Sequence, residues 1–405
     1  MTFFEIDQFI NRQVTGRTES LFRRDIEQHE GELREAIGGK SVLVIGGAGT
    51  IGSAFIKALL PFMPGKLYVM DLNENGLTEL TRDLRSSTAF QVPDDYKTYP
   101  ISFADPVFEK IWQQRGPFHI VANFAAHKHV RSEKDQYSIE AMVENNAIRA
   151  QHLLELISTR PPEHFFCVST DKAANPVNVM GASKKLMEEV ILSYAAKIKV
   201  TTARFANVAF SNGSLPDGFL TRLMKKQPLS SPTDVRRYFV SPQESGQLCL
   251  LACILGRSGE IFFPKLSSGA MKTFSDIAIA LLGELGLEPE LCESEEEAKH
   301  KAFNFDPGKS GRYPVYFFES DTSGEKAFEE FYTETETVDW SRFEALGVIP
   351  GKPGMPLPQI ADIFKRLTAV FGQPETTKAD IIQVLTEALP GFHHLETGKG
   401  LDQKM

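Results

Sequence analysis

The chain has 405 residues, 42% of them hydrophobic and 24% charged, with a formal net charge of −9. That composition supports a sizeable core in more than one structural unit without covalent staples, and a net negative charge with no dense Lys/Arg stripe argues against nucleic acid as a partner. No apolar run approaches the length that crosses a bilayer, so the sequence reads as that of a cytoplasmic protein whose anionic substrates must be held by individually placed cations.

Residues 1–38 read as a helical arm. Phe3, Phe4, Ile6, Phe9 and Ile10 recur at helical spacing, a turn falls near Thr15-Gly16, and a more charged helix runs to about Ile37. Such an arm suits packing or oligomer contact better than chemistry. From Ser41 the pattern changes to alternating strands and helices, the order that builds a parallel sheet. SVLVI (41–45) is a buried strand that runs into Gly46-Gly47-Ala48-Gly49-Thr50-Ile51-Gly52 and on into the helical SAFIKALL. The glycines at 46, 49 and 52 permit a tight turn, let the backbone at Thr50 and Ile51 approach a pyrophosphate, and pack helix against strand. KLYVM (66–70) is the second strand and ends at Asp71, about twenty positions after Gly52, where a carboxylate accepts from an adenosine ribose. Leu72-Asn73-Glu74-Asn75 offers no basic group to a 2′-phosphate, which favours NAD over NADP.

A short strand near 98–101 leads to Ser102, a further candidate cofactor contact, and to Asp105. HIVANF (119–124) then leads into Ala125-Ala126-His127-Lys128-His129. The small residues at 125 and 126 let the backbone pass close to the cofactor; Lys128 and His129 stand at the mouth, where they either orient substrate or pack. One long helix is expected over roughly 138–159 and includes Asn145-Asn146; an Asn inside a helix is usually solvated, and a structural role for Asn146 is the lesser expectation. HFFCV (164–168) is the next buried strand, followed by Ser169, Thr170, Asp171 and Lys172, the turn-forming Asn175-Pro176, and a helix from about Val179 with Met180 and Lys184 on one face. Carboxylate and ammonium at the carboxyl end of a buried parallel strand sit where open α/β sheets bind ligands. KVTTARF (199–205) is the sixth strand, with Arg204 near its end and Asn207 beyond, and AFSNGSLPDGFL (209–220) marks the exit from this unit.

The expected architecture is α/β: a Rossmann-type doubly wound parallel sheet over 39–212, to which 241–263 returns, a smaller, discontinuous α/β substrate domain over 213–345, and a linker with helices over 346–405. Cys167, Cys249, Cys253 and Cys292 have no metal-ligand spacing and read as buried thiols in a reducing compartment. His393-His394 reads as an exposed pair, so no metal is expected.

With these residues in place the chain resembles the extended short-chain dehydrogenase/reductase family and, within it, the sugar-nucleotide 4,6-dehydratases acting on UDP-N-acetylglucosamine. The resemblance is carried by GGAGTIGS (46–53), AAHKHV (125–130), STDKAANPVNVMGASKK (169–185), RFANVAFSNGS (204–214), RRYFVSP (236–242) and FPK with Met271-Lys272, roughly residues 40–275. It implies NAD as cofactor and a redox-neutral loss of water across C5 and C6 of a UDP-sugar. Asp171 is implied as the acid on the leaving O6, Lys172 as the base at C5, Lys184 as the holder of the nicotinamide ribose, and Ser169 or Thr170 as donor to the C4 oxygen. Arg204, Arg237, Lys265 and Arg312, with Lys128, His129 and Asn207, are the candidate substrate contacts; Arg204 is equally readable as a buried ion pair. One departure stands out. The family's usual Tyr, four residues before the helix Lys, is Met180, and a thioether is no base. A subset of the dehydratases likewise carries Met there, and that subset is associated with retention at C5. The acceptor of the O4 proton stays open between Asp171 and a relay ending at Lys184. The resemblance also implies a homo-oligomer. A UDP-sugar 4-epimerase and a non-catalytic NAD-binding module are the competing readings; Asp171, Lys172 and Lys184 weigh against the latter.

Overall fold

A computed structural model describes residues 4–351, 353–396 and 398. The apolar runs read from the sequence form β1 (Ser41–Ile45), β2 (Lys66–Met70), β3 (Asp95–Tyr99), β4 (Ile120–Asn123), β5 (His164–Val168) and β6 (Val200–Ala203). With two later strands, Ile261–Pro264 and Leu346–Ile349, they build one eight-stranded sheet in the order Leu346–Ile349, Ile261–Pro264, β6, β5, β4, β1, β2, β3. All neighbours are parallel except the edge pair, where Leu346–Ile349 runs antiparallel to Ile261–Pro264. The chain reverses direction across the sheet between β1 and β4, the switch point at which open parallel sheets bind ligands.

Both faces of this sheet are covered, as period-two burial demands. Val42 and Val44 of β1 enter one core cluster, Leu43 and Ile45 the other. On the first face the helix Pro242–Leu255 lies against the helix Thr50–Leu59 so closely that a Cβ on Gly246 would stand 2.2 Å from the Ala54 carbonyl oxygen. A third core cluster belongs to a smaller three-stranded parallel sheet, Glu288–Leu291, Arg312–Phe318 and Leu229–Pro232, with the helix Phe274–Glu284 on it.

Three features depart from the sequence reading. The segment 346–405 is not only linker and helices: LGVI is wholly buried and closes the main sheet, and Ile360, Leu367, Ile381 and Leu385 of the following helices sink into the second core cluster. The expected helix over 138–159 is three pieces, Gln136–Val143, a π-helical turn Glu144–Ile148, and Arg149–Ser158. The arm packs on its own chain: Phe9, Ile10 and Val14 join the third cluster, Phe9 edge-on to Phe210, and Arg17 grips Glu244 through two nitrogens at 2.7 and 2.6 Å. Its apolar face is therefore spent within the chain; Phe3, part of the same pattern, lies outside the described residues.

Candidate active site

The glycine turn after β1 is built by steric necessity. Gly46 has φ +76°, and a Cβ there would stand 2.5 Å from the Ala125 amide nitrogen; one on Gly52 would stand 2.3 Å from the Gly46 carbonyl oxygen. Only glycine lets the turn lie this close to the loop after β4. Gly49 caps the helix Thr50–Leu59, whose first amides point out of the turn. At the end of β2 the Asp71 carboxylate accepts from the amides of Ala48 (3.0 Å) and Asn73 (2.9 Å), so it stands against the glycine turn. A dinucleotide fits this set: a cradle that any side chain would fill, a helix N-terminus for the pyrophosphate, and an acid for the ribose. Gly46, Gly49, Thr50, Ile51, Gly52, Asp71, Ala125 and Ala126 would hold it, with Ser169 and Lys184 toward the reactive end.

Ser102 is used within its own turn, its amide donating to Asp105 and its hydroxyl accepting from Ala104. The loop after β4 is fixed by Asn146, which is buried rather than solvated. Its Oδ1 accepts from the His127 amide (2.8 Å), and its Nδ2 donates to the His127 carbonyl (2.9 Å) and to Ser183 Oγ (3.0 Å). The π turn aims it inward. A pattern search sees only a polar residue in a helix.

Beyond β5 the backbone makes a single tight turn, Asp171–Ala173, against the start of the helix Val179–Ser193. Gly181 permits the contact: its Cβ would stand 2.6 Å from the Lys172 carbonyl oxygen. Asn178 caps the helix through Gly181 N at 2.8 Å, and Glu133 accepts from Val179 N at 2.7 Å. Three donors converge on Asp171 Oδ1: Thr170 Oγ1 at 2.9 Å, Lys172 N at 2.9 Å and Lys172 Nζ at 3.0 Å. Asp171 is nearly buried. Lys184, also buried, donates to the Val168 carbonyl at 2.6 Å, and burial lowers its proton affinity. Ser169 donates to Glu188.

Ser169, Thr170, Asp171, Lys172 and Lys184 line one cavity of about 1120 Å³, together with Ile51, Ala126, Lys128, His129, Met180, Asn207 and Arg237. Burial lowers the proton affinity of Lys128, and it does the same to His129 with Lys128 adding to the effect. Three expected substrate contacts lie elsewhere. Arg204 is fully buried, held by Glu188 and Glu336 in a two-carboxylate clamp. Lys265 donates to the carbonyls of Trp340, Phe343 and Glu344 and serves the sheet edge. Arg312 is exposed at the start of the smaller sheet's central strand. In their place the cavity is lined by Arg222 and Lys225, at the end of the helix Leu215–Met224, and by a carboxyl the sequence did not single out, Glu329. Glu329 Oε1 lies 3.8 Å from Lys172 Nζ and 3.9 Å from Arg237 Nη2. Burial raises its pKa, with Lys172 opposing and Asp171 reinforcing that shift. It comes from a segment, 325–331, with no motif around it.

His394 is not exposed beside His393 but pairs with Glu133, close to Glu396; Lys378 already occupies that cluster at 3.1 and 2.7 Å from the two carboxylates.

The description "polysaccharide biosynthesis protein" attaches to the family model that matches residues 42–350. The chain belongs to this polysaccharide biosynthesis family of extended short-chain dehydrogenases/reductases. Among its relatives is an uncharacterized membrane protein of Methanocaldococcus jannaschii, 31% identical over 76% of this chain and 85% of its own length. A probable polysaccharide biosynthesis protein, EpsC of Bacillus subtilis, is 29% identical over 60% of this chain, and the match spans only 40% of that protein. A UDP-N-acetylglucosamine 4,6-dehydratase (inverting) of Campylobacter jejuni is 25% identical over 57% of this chain and 68% of its own length; other family relatives are named UDP-glucose 4-epimerase. The fold is shared with Pen from Bacillus thuringiensis, at a TM-score of 0.63 and 19% identity over 79% of this chain and 91% of that one. It is also shared with a UDP-glucuronic acid 4-epimerase from Bacillus cereus in complex with UDP-glucuronic acid and NAD, at a TM-score of 0.52 and 18% identity over 72% and 89%. Among the described residues no helix is long and apolar enough to cross a membrane.

Proposed function

We propose that this protein is a nucleotide-sugar 4,6-dehydratase that converts UDP-N-acetylglucosamine to the UDP-2-acetamido-2,6-dideoxy-4-keto-hexose, with retention at C5, for bacterial surface polysaccharide or nonulosonate synthesis. The observation that carries this reading is the Asp171–Lys172 pair at the end of β5, facing the cavity with Met180 where a redox-only enzyme of this fold would keep a tyrosine. An epimerase has no step that needs a carboxyl and an ammonium side by side at this point. NAD, when bound, accepts hydride from C4 and returns it at C6. Asp71 favours it over the 2′-phosphorylated cofactor, since a second anion beside that carboxylate is repelled.

The remaining work falls to the chain. Lys184, held by the Val168 carbonyl, orients the nicotinamide ribose. Thr170 donates to the C4 oxygen as the ketone develops. Asp171 protonates the leaving O6, and the acid–base cluster around Lys172 handles the C5 proton, made acidic by the neighbouring ketone. Arg237, Arg222 and Lys225 neutralise the diphosphate, with Lys128, His129 and Asn207 on the sugar side. We place the activity in the cytoplasm, in a homo-oligomer.

Proton NMR of the purified protein with UDP-N-acetylglucosamine in deuterated water tests the reading. The expected spectrum gains a C6 methyl signal and a C4 ketone or its hydrate, with deuterium at C5 and ring couplings of the retained configuration. A C4 epimer without a methyl signal, or unchanged sugar in the presence of bound NAD, would overturn it.

A further inference from the structure

The loop after β4 brings Lys128 and His129 to the cavity, and both of its ends are tied to one helix, Val179–Ser193. At its start, Asn146 binds the His127 backbone and reaches Ser183 Oγ at 3.0 Å. Its end is Glu133, directly after the single turn Val130–Ser132. Glu133 Oε2 accepts from the amide of Val179, the first residue of the helix, at 2.7 Å. Asn178 already serves the Gly181 amide at 2.8 Å, so Val179, an orphan donor at a helix start, takes its acceptor from outside the segment. Glu133 Oε1 meets His394 and, at 3.1 Å, Lys378 Nζ; the side chain is nearly buried. Burial would raise its pKa, but hydrogen bonds from His394 and the Val179 amide, with the charge of Lys378, outweigh burial and hold it below the usual carboxylate range. An anion at a helix N-terminus is itself favourable.

Resting on the dehydratase reading, we propose that Glu133 is a positioning residue: by fastening the end of the 127–133 loop to the helix that carries Met180 and Lys184, it sets the gap between the sugar side of the cavity and the nicotinamide side. Lys128 and His129 stand on the first side, and Lys184 on the second. Glu133 follows Val130 and Arg131, which belong to the cavity wall, and it acts through the groups it holds rather than on the reacting atoms. Met180 directly follows the amide that Glu133 holds, so a shift of the carboxylate reaches the cavity within one residue. With the Asn146 tie intact and the Glu133 tie lost, the loop would pivot at His127, and Lys128 and His129 would drift from Lys184. Such a displacement costs rate while leaving the glycine turn and its dinucleotide in place.

Three full-length variants test the assignment. Glu133→Gln keeps an oxygen at the same reach for the Val179 amide and loses the charge opposite Lys378; Glu133→Asp keeps the charge and falls one methylene short; Glu133→Ala loses both. Turnover of UDP-N-acetylglucosamine should fall at least ~10-fold in Glu133→Ala and Glu133→Asp and be largely restored in Glu133→Gln, with NAD affinity unchanged in all three. A merely structural role would rank the variants alike in turnover and in melting temperature; positioning leaves Glu133→Gln the more active of the two conservative variants even where it melts below Glu133→Asp. Amide hydrogen exchange read by mass spectrometry follows the displacement without any reaction: Glu133→Ala should speed exchange in 127–133 and 178–184 and leave 46–52 as in wild type. Full turnover in Glu133→Ala, turnover in Glu133→Asp equal to that in Glu133→Gln, or faster exchange that spreads to 46–52 would each overturn the proposal. Should Glu133→Ala fail to fold, the Gln and Asp variants carry the comparison, in turnover and in exchange alike. Wild-type protein run in parallel separates the two levels: if it yields no methyl product, the dehydratase reading falls, and the exchange pattern alone decides whether Glu133 holds the loop to the helix.

Discussion

Glu188 shows how one residue serves structure beside a reactive site. It accepts from Ser169 at 2.6 Å and holds Arg204 through both carboxylate oxygens at 3.0 and 2.9 Å, all in a wholly buried setting. Burial by itself pushes the Glu188 carboxyl up, but the charge of Arg204, aided by Lys185 and by hydrogen bonds from Arg204 and Ser169, reverses this and brings it to about 2 from the usual 4.5. The sign follows from linkage. A depressed carboxyl stabilises the fold fully above its unfolded pKa, and that stability is lost as pH falls from about 4.5 toward 2. Glu188→Gln should therefore cost about 3–5 kcal/mol at neutral pH, since it leaves Arg204 half-paired, and should flatten the dependence of thermal unfolding on pH below 4.5. A variant whose melting curve tracks wild type at every pH would disprove this. The same residues mark what was legible from sequence. The residue types of the STDK turn and the Met180-Lys184 pair announced themselves by spacing, and Arg204 was readable as either substrate cation or buried ion pair. Its partners, Glu188 in a helix and Glu336 in a distant loop, settle the matter only once the chain is folded. Glu329 was invisible for the same reason, since an acidic residue in an unpatterned loop resembles any solvated one.

Among the elements, the apolar strand runs and the glycine turn were readable because each is enforced locally, by period and by backbone conformation. The edge strand Leu346–Ile349 was not, because four apolar residues beside a proline-rich stretch look like a loop until Ile261–Pro264 offers an antiparallel partner. Helix contacts are likewise tertiary facts. The pair Thr50–Leu59 and Pro242–Leu255 meets at Gly246, where an added methyl would overlap the Ala54 backbone at 2.2 Å. Neither helix can give way cheaply, since Leu248 and Cys249 on one and Phe55 and Ile56 on the other are fully buried. Gly246→Ala should destabilise the protein by about 1–3 kcal/mol through overpacking. Because the Thr50–Leu59 helix starts at the glycine turn that would cradle the dinucleotide, it should also weaken NAD binding, read by calorimetry. A stable variant with undiminished NAD affinity would show that the two helices slide apart freely.

At the scale of the whole molecule, the reactive turn is held from outside the sheet by the last described residues. Phe392 is fully buried in the second core cluster. The His393 amide donates to the Pro176 carbonyl at 3.1 Å and Leu395 N to the Val177 carbonyl at 2.9 Å, while the Leu395 carbonyl accepts from Gly324 N at 2.9 Å. His394 pairs with Glu133, which in turn receives the first amide of the Met180 helix. One short segment thus ties together the loop after Lys172, the helix that carries Met180 and Lys184, and the stretch leading to Glu329. None of these hydrogen bonds is made to the glycine cradle or to a strand of the main sheet. Removing residues 390–405 should leave a folded, NAD-binding protein, less stable by about 3 kcal/mol for the loss of Phe392 from the core. Turnover of UDP-N-acetylglucosamine should fall at least ~10-fold, because catalytic groups displaced by even an ångström lose rate steeply. Circular dichroism melting, NAD titration and the NMR assay read the three effects separately. Full turnover in the shortened chain would mean that the Lys172 turn keeps its geometry unaided; loss of NAD binding would mean that the segment supports the sheet itself.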